Sequence, residues 1–351
     1  MTNRLELNWK LDGFVDEQRY YCSETPIDIN APPSPVAILS GDARTHIESG
    51  LTKGKNYYTR ISAYKDGVEK FSDEKKALFG KAWTPVNLFY RPVQWIDETT
   101  VIASSGSKLV SISNNIHGKD IVFNQLTSLY QPDIATHESG VRSFLFNGVN
   151  QFLNSTSLAI LSEYRKTNKA WVFVVMRKLI VDATVINRNI ISNAPGNSGG
   201  GGRFTLGIGA SNPNQLYLYS EIMDGGAGTL VNLDHAFNNT DTVIIFAQVD
   251  FLTNTANISI DGEVIYNSSF GTVSETSDTQ AYWNAGIGAF VGSPPVVHCD
   301  MELLCLMQGG ISSDLQTESE RHKLEGWAAH KYGLADNLPN DHPYKILVPV
   351  L

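Results

Sequence analysis

Two stretches near the start of the chain alternate apolar and polar residues with the period of a β-strand. In LELNWKL (5–11) the leucines and Trp9 fall on one face, because successive side chains of a strand point to opposite faces. NYYTRISAY (56–64) repeats the pattern, and the Lys-Asp-Gly that follows (65–67) signals a tight hairpin. About seven short strands fit this spacing in roughly 80 residues, which predicts a small β-sandwich over residues 1–81.

The stretch AWTPVNL (82–88) predicts a linker, because Pro85 forces Thr84 into an extended conformation. Strand patterns resume after it and predict a second, larger β domain over residues 89–351. Since the two regions carry separate apolar faces, we expect them to fold separately.

The second domain contains both continuous and alternating apolar runs. WVFVVM (171–176) and VIIFA (243–247) are continuous, which favours central strands that are buried on both faces. ISIDGEVIY (258–266) carries Asp261 and Gly262 between two apolar runs and predicts a two-residue hairpin. The fold class indicated is all-β.

One helix is predicted, over ERHKLEGWAAHKYGL (320–334). Thr317 with Glu320 three residues later forms a capping box, and Gly333 supplies a stop signal. The apolar residues that recur at helical spacing are Leu324, Trp327, Ala328 and Tyr332. We expect Trp327 to be buried against the sandwich.

Composition and charge exclude several function classes. The 351 residues carry a net charge of −9 and no long basic run, which disfavours nucleic-acid binding. No apolar run approaches the roughly 20 residues that span a bilayer, and MTNRLELNWK lacks the apolar core of a signal peptide. We therefore expect synthesis in the cytoplasm and no membrane insertion.

The three cysteines are predicted to be free thiols. Cys299 and Cys305 are six residues apart, which on one strand separates them by roughly 20 Å, far beyond disulfide reach. Cys22 lies in the other predicted domain.

The two histidines of the helix do not form a metal site. His322 and His330 are eight residues apart, about 12 Å along a helix axis, whereas zinc ligand atoms lie about 2.0–2.2 Å from one ion. We interpret the helix as a clamp on the sandwich, with His330 bonded to the following loop. The residues given structural roles are Trp9, Leu324, Trp327, His330 and Tyr332.

A glycosidase dyad is also disfavoured. Retaining chemistry needs two carboxyl groups about 5–5.5 Å apart. Glu221 and Asp224 are three residues apart and would face opposite sides of a strand, while Asp250 and Asp261 lie on separate strands. The sequence therefore predicts a protein that is not an enzyme and has no catalytic residues.

Three loops offer side chains that suit sugar binding, at 193–204, 221–229 and 277–284. They combine acidic, amide and aromatic residues. The candidate ligand-binding residues are Arg203, Asp224, Tyr282 and Trp283. No cofactor or metal is predicted, although lectin sites of this kind sometimes use calcium.

The first domain resembles a fibronectin type III module. The resemblance rests on the strand with Trp9, on GLTKGKNYYTRISA (50–63) and on DGVEKFSDEKKA (66–77). It implies that Trp9 packs under Tyr57 or Tyr58.

The second domain resembles the concanavalin A-like (laminin G-like) jelly roll, in the version frequent in tailed-bacteriophage virion proteins. FLFNGVNQFL (144–153), VDFLTNTANISIDGEV (249–264) and LEGWAAHKYGLADNLPNDHPYK (324–345) carry the resemblance. It implies a virion structural or accessory protein: a tail, neck or collar fibre, or a head decoration.

The implied partners are other virion proteins and host-surface glycans. We expect a homo-oligomer or many copies on the particle, located in the virion after synthesis in the host cytoplasm. The alternatives are a dedicated receptor-binding lectin and a glycan hydrolase.

Overall fold

The structure is a computed structural model of the chain, and it confirms the all-β class. It describes residues 4–114, 121–155, 169–179, 188–195, 204–209, 215–220, 229–233, 241–270, 283–289, 298–310 and 314–351. The chain divides into two compact units, one of residues 1–84 with 343–351 and one of residues 85–342. The predicted boundary is therefore wrong at the C-terminal side, because residues 343–351 belong to the first unit rather than to the second domain.

The first unit is a small sandwich of two antiparallel sheets. Its strands are β1 (Arg4–Asn8), β2 (Glu17–Ser23), β3 (Ala37–Ser40), β4 (Thr45–Ser49), β5 (Asn56–Lys65), β6 (Val68–Phe71) and β7 (Lys75–Leu78). Strands β1 and β4 form one sheet, and the other has the order β3-β2-β5-β6, with β7 also paired to β5. The seven predicted strands are thus confirmed.

The alternation predicted for the first strand is present in its burial. Leu5, Leu7 and Trp9 are half-buried, whereas Glu6 and Asn8 between them are exposed. The predicted hairpin is also confirmed, since Asp66 (φ 51°) and Gly67 (φ 79°) join β5 to β6 in the left-handed conformation that a two-residue turn of this type requires.

Trp9 contributes to the first unit through a hydrogen bond rather than a ring stack. Its Nε1 donates to Oε1 of Gln18 at 2.8 Å, and Gln18 in turn donates to three backbone carbonyls between residues 40 and 43. In the described part of this unit Tyr57 packs edge-on against Phe79, with ring centroids 6.4 Å apart, and makes no ring contact with Trp9. The packing of Trp9 under Tyr57 or Tyr58 that the resemblance implied is therefore not what the structure shows.

Residues 343–351 are held to the first unit by backbone hydrogen bonds. Val348 N–H donates to the Gly54 carbonyl at 3.1 Å, and Trp83 N–H donates to the Pro349 carbonyl at 3.0 Å. Leu351 N–H donates to Lys81 at 3.0 Å. This segment therefore completes the unit that the start of the chain builds.

The second unit contains the remaining strands and the helix. Its described strands are β8 (Gln94–Ile96), β9 (Val101–Ser105), β10 (Lys108–Asn114), β11 (Ile121–Asn124), β12 (Asp133–Thr136), β13 (Arg142–Asn147), β14 (Leu153–Ser155), β15 (Lys169–Lys178), β16 (Arg188–Pro195), β17 (Phe204–Ile208), β18 (Leu216–Ser220), β19 (Thr229–Leu233), β20 (Thr242–Asp250), β21 (Thr255–Ile260), β22 (Glu263–Ser269), β23 (Trp283–Ile287) and β24 (Asp300–Gly309). The helix is α1 (Glu318–Tyr332). Short 3-10 turns span Pro85–Asn87, Ser128–Tyr130 and Ala335–Asn337.

These strands form two layers that β10 joins. One layer runs from β24 through β15, β20 and β21 to β22, with β13 and β8 on the other edge of β24. The second layer runs from β14 through β23, β16, β17 and β18 to β19. Strand β10 pairs with β11, which adjoins β14, and with β12, which adjoins β13.

The central strands are buried on both faces, as their continuous apolar sequences predict. Val172 and Val174 of β15 point into the core between the layers, while Phe173 is fully buried on the opposite face. Phe173 lies opposite Phe246 of β20 in the register, and Phe246 lies opposite Ser259 of β21. That outer face is covered by α1, which is why these strands show no alternation.

The ends of α1 follow the sequence signals. The Thr317 side chain accepts a hydrogen bond from Glu320 N–H, and Gly333 closes the helix in the left-handed conformation at φ 76°. No described helix has the length and apolar character needed to cross a membrane.

The hairpin predicted at Asp261 and Gly262 connects β21 to β22 with φ values of 50° and 86°. Oδ1 of Asp261 accepts a hydrogen bond from Ile244 N–H at 2.8 Å. Burial nevertheless raises the pKa of Asp261 to about 6 from its ordinary value of 3.8. The folded chain therefore binds more protons than the unfolded chain between about pH 4 and 6, so the stability contributed by this group falls as the pH rises through that window.

We expect Asp261→Asn to raise the free energy of unfolding of the second unit at pH 7 by about 1–3 kcal/mol, since the amide keeps the acceptor and removes the buried charge. The variant should also show a smaller change in stability between pH 4 and 6 in urea titrations. Asp66→Asn is the matched control, because Asp66 has the same turn conformation (φ 51°) but is exposed. A destabilising effect of Asp261→Asn at pH 7 would contradict this account.

Candidate functional site

The structure describes little of the predicted ligand-binding set. Arg203, Asp224 and Tyr282 lie outside the described residues, as do Glu221 and most of the three loops. Trp283 opens β23, where its backbone pairs with Pro195 of β16. The sugar-binding role of these four residues stays a prediction.

The helix residues with predicted structural roles lie where α1 meets the second unit. Leu324 and Tyr332 are buried, with 0% and 2% of their surface exposed. Trp327 is only half-buried, which corrects the expectation that it is buried against the sandwich. Its ring packs edge-on against the rings of Trp95 and Tyr332. His330 is half-buried in the last turn of α1.

A cluster of polar and ionisable side chains, most of them buried, lies where α1 packs on β21. Glu325 has none of its surface exposed, and its Oε1 accepts hydrogen bonds from Ser259 Oγ at 2.6 Å and Arg321 Nη1 at 2.9 Å. Its Oε2 lies 3.2 Å from Nε2 of His342, and Nη2 of Arg321 lies 3.1 Å from Nε2 of His322. We call these five residues the ionic cluster.

The hydrogen bonds of the ionic cluster assign its protons. A carboxylate only accepts, so Nε2 of His342 carries the proton that it donates to Glu325. A guanidinium only donates, so Nε2 of His322 accepts from Arg321 and its proton is on Nδ1. Burial and the neighbouring Arg321 charge lower the pKa of His322, so this ring is neutral at pH 7.

Three members of the ionic cluster have the composition of a metal site. One ligand atom each of His322, Glu325 and His342 lie within 4.8 Å of one another. The guanidinium of Arg321 contacts both His322 and Glu325, however. Its hydrogen bond occupies the lone pair on Nε2 of His322 that a metal ion would need. A divalent ion about 4 Å from this charge would be repelled by about 8 kcal/mol at an effective dielectric constant of about 20. The arrangement therefore fits a buried ion pair better than a metal centre.

A second charged group fixes the other end of the helix. Nζ of Lys331 lies 2.9 Å from Oδ2 of Asp97 and 2.8 Å from Oε1 of Glu98, and it sits 4.6 Å from the ring centroid of Trp327. Burial acts to lower the pKa of Lys331, but the hydrogen bonds to Glu98 and Asp97 outweigh it and the pKa is raised. Lys331 therefore stays charged and ties α1 to the loop after β8.

Sequence reasoning found the helix but not the partners of its charges. The spacing argument concerns only His322 and His330, and no local pattern gives a role to Glu325 or Arg321. The sequence feature that could have indicated this cluster is His342 in the motif HPYK, because its Nε2 lies 3.2 Å from Oε2 of Glu325. The partner Ser259 carries no local signal, because only the folding of β21 against α1 brings it to Glu325.

Asp250 and Asp261 do not form a glycosidase pair. Asp250 accepts hydrogen bonds from Leu252 and Thr253 in the turn after β20, while Asp261 lies in the turn at the other end of β21. Six strand residues separate these turns, which is roughly 20 Å, whereas the two carboxyl groups of a glycosidase lie about 5–9.5 Å apart.

Comparisons with known proteins give partial structural similarity. No family model and no curated protein matches the chain. The botulinum neurotoxin serotype G binding domain is similar with a TM-score of 0.41 and 14% identity, over 62% of this chain and 50% of that one. The serotype D binding domain has a TM-score of 0.41 and 11% identity over the same shares.

A sialidase module from Ruminococcus gnavus, the CBM40 bound to alpha2,3 sialyllactose, is similar with a TM-score of 0.37 and 14% identity, over 46% of this chain and 84% of that one. This chain spans about half the length of the toxin domains that it matches. Because every one of these TM-scores is below 0.5, the interpretation of the site rests on the residues of this chain alone.

Proposed function

We propose that this chain is a non-enzymatic part of a tailed-bacteriophage particle that helps the particle adhere to glycans on the host surface. The observation that carries the proposal is the structural use of the terminal motif. Glu325 and His342, which belong to that motif, are hydrogen-bonded to each other. Glu325 also accepts a hydrogen bond from Ser259 of β21. The motif that resembles phage proteins is therefore a packing element.

Charged side chains on the rest of the helix also pair with protein groups. Lys331 bridges α1 to Asp97 and Glu98, and Lys323 pairs with Glu320 at 2.7 Å on the helix surface. A site for acid–base catalysis needs an ionisable group that can reach a substrate. The buried groups of this motif instead face protein partners, which supports a building role.

Weak sugar contacts suffice for this function. A protein displayed in many copies gains avidity by about 10²–10⁴ when its sites bind together, so no single deep pocket is required. We place the glycan contacts at the loops that carry Arg203, Asp224, Tyr282 and Trp283. The first unit would then dock on the particle and the second unit would face outward.

The adhesion proposal is tested with purified host-surface polysaccharide. We expect the chain coupled to beads in many copies to retain the polysaccharide, and Asp224→Ala or Trp283→Ala to lower retention at least tenfold. Arg142→Ala and Asp341→Ala are controls, because both residues are exposed and neither belongs to the three predicted loop segments. Retention that is unchanged by the loop variants would place the glycan contacts elsewhere.

Two further outcomes separate the alternatives. Continuous release of new reducing ends from the polysaccharide would show a hydrolase and overturn the non-enzymatic role. Micromolar binding by the chain in single copies would instead indicate a dedicated lectin. Labels on the first unit and on the second-unit loops of intact particles would test the orientation, which is wrong if the loops are covered.

A further inference from the structure

The first unit contains a groove that its own strands leave open. The groove has a volume of about 530 Å³ and lies between β1 with the residues after it and the strands β5, β6 and β7. Its apolar walls are formed by Leu7, Trp9 and Leu11 on one side and by Ile61 and Ala63 on the other. All five of these side chains are only half-buried.

The groove follows from the unequal width of the two sheets. The sheet of β1 and β4 has two strands, whereas the facing sheet has five. The ring of His46 on β4 packs 4.6 Å from the ring of Tyr20 on β2, so this narrow sheet is stacked over the β2 side. The inner face of β5 and β6 beside β1 is therefore incompletely covered.

The edge of β1 beside the groove carries unpaired backbone groups. Trp9 N–H donates to the Arg44 carbonyl at 3.1 Å, just beyond the last β1–β4 pair, Asn8 with Thr45. The N–H and C=O groups of successive strand residues point to opposite edges, so those of Glu6 and Asn8 point away from β4. In the described residues β1 pairs only with β4, and the groove touches β1 but not β4.

The rim of the groove is basic. Lys10, Lys70 and Lys75 line it with exposed side chains, and Asp73 is the acidic residue among its lining residues. The chain as a whole carries a net charge of −9, so this rim contrasts with the rest of the molecule. A ligand for the groove is therefore one that combines apolar side chains with negative charge.

We propose that an extended segment of a partner protein, with apolar residues alternating with acidic ones, binds by adding a strand to β1. Its backbone would pair with Glu6 and Asn8, its apolar side chains would fill the groove, and its carboxylates would face the three lysines. The period of two along a strand sends alternate side chains to the groove and to the rim. Backbone hydrogen bonds supply affinity in this mode and the side-chain pockets supply specificity.

The site lies wholly within the first unit and goes beyond the proposed function. It requires neither glycan binding nor a place in a virion. Its failure and the failure of the adhesion proposal are therefore separate results.

The test uses the full chain and a labelled seven-residue peptide of alternating valine and glutamate with blocked ends. We expect saturable binding that 0.5 M salt weakens several-fold, because exposed charge pairs are screened at that ionic strength. Peptide binding should slow hydrogen exchange at the amides of Glu6 and Asn8. A peptide of alternating valine and lysine should bind at least tenfold more weakly.

Two variants locate the contact. The triple variant Lys10→Glu, Lys70→Glu, Lys75→Glu should weaken peptide binding at least tenfold, whereas the exposed control Lys53→Glu should not change it. Asn8→Pro should have the same effect as the triple variant, since it removes an N–H at the free edge while leaving the bonds to β4 in place.

Three results would overturn the proposal. The first is no binding of the acidic peptide, and the second is equal binding of the lysine peptide. The third is a dimer of this chain in light scattering that Asn8→Pro returns to a monomer, since the edge would then serve a second copy. Should Asn8→Pro fail to fold, the exchange rates of the unmodified chain decide the question alone.

Discussion

Replacing Glu325 with alanine is expected to lower the free energy of unfolding of the second unit by about 3–5 kcal/mol, the usual cost of breaking a buried ion pair. The substitution leaves the charge of Arg321 buried, with only 4% of the residue exposed, and without its close carboxylate partner. The exposed carboxylate of Glu318, 3.8 Å away, is a weak replacement. It also removes the acceptor used by Ser259 and His342. Hydrogen exchange of the amides of β15, β20 and β24 measures the loss in the unit concerned.

Lys323→Ala is the matched control for Glu325→Ala. It removes one member of an ion pair on the same helix, but Lys323 and Glu320 are partly exposed at 26% and 15%, so the expected cost is about 0–1 kcal/mol. The double variant Arg321→Met, Glu325→Met should recover part of the loss, because it buries no charge. A loss below about 1 kcal/mol for Glu325→Ala would show that the ionic cluster does not hold the helix.

Deleting residues 343–351 is expected to destabilise the first unit by about 2–4 kcal/mol and to leave the second unit unchanged. The deletion removes the hydrogen bonds from Trp83 N–H to Pro349, from Val348 N–H to Gly54 and from Leu351 N–H to Lys81, each worth about 0.5–1.5 kcal/mol. It also removes the side chain of Val350, which packs beside Gly80. Exchange of amides in residues 45–84 measures the effect.

Fragments provide the control for this deletion. Residues 85–342 should fold alone, because the second unit contains its own core and the whole ionic cluster. Residues 1–84 alone should be less stable than the same residues joined to 343–351 through a flexible glycine–serine linker. Equal stability of these two fragments would mean that the returning segment contributes nothing.

Local patterns predicted the elements of this fold well. Alternation placed β1 and β5, the Asp-Gly pairs placed both tight hairpins, and the signals at Thr317 and Gly333 placed the ends of α1. These features are set by residues close together in the sequence. The continuous apolar run in β15 also predicted that this strand is buried on both faces, because such a strand has no solvent-facing positions for polar residues.

The sequence could not predict features that depend on distant contacts. The tail after HPYK reads as the end of the second domain, yet it pairs with Gly54 and Lys81 of the first unit. The half-burial of Trp327 depends on Trp95, which lies more than 200 residues earlier. Nothing in the neighbouring sequence indicates that Glu325 is buried, since an acidic residue on a helix is usually solvated. Its burial depends on the hydrogen bonds with Ser259, Arg321 and His342.

The pairing of residues 347–351 with the first unit has a mechanical consequence. A pulling force applied between β1 and Leu351 would pass through the first unit only, because both points of attachment belong to it. The second unit would carry no tension until the bonds of Val348, Pro349 and Leu351 had broken. A load applied through β1 and Leu351 would thus strain the small sandwich before the larger one.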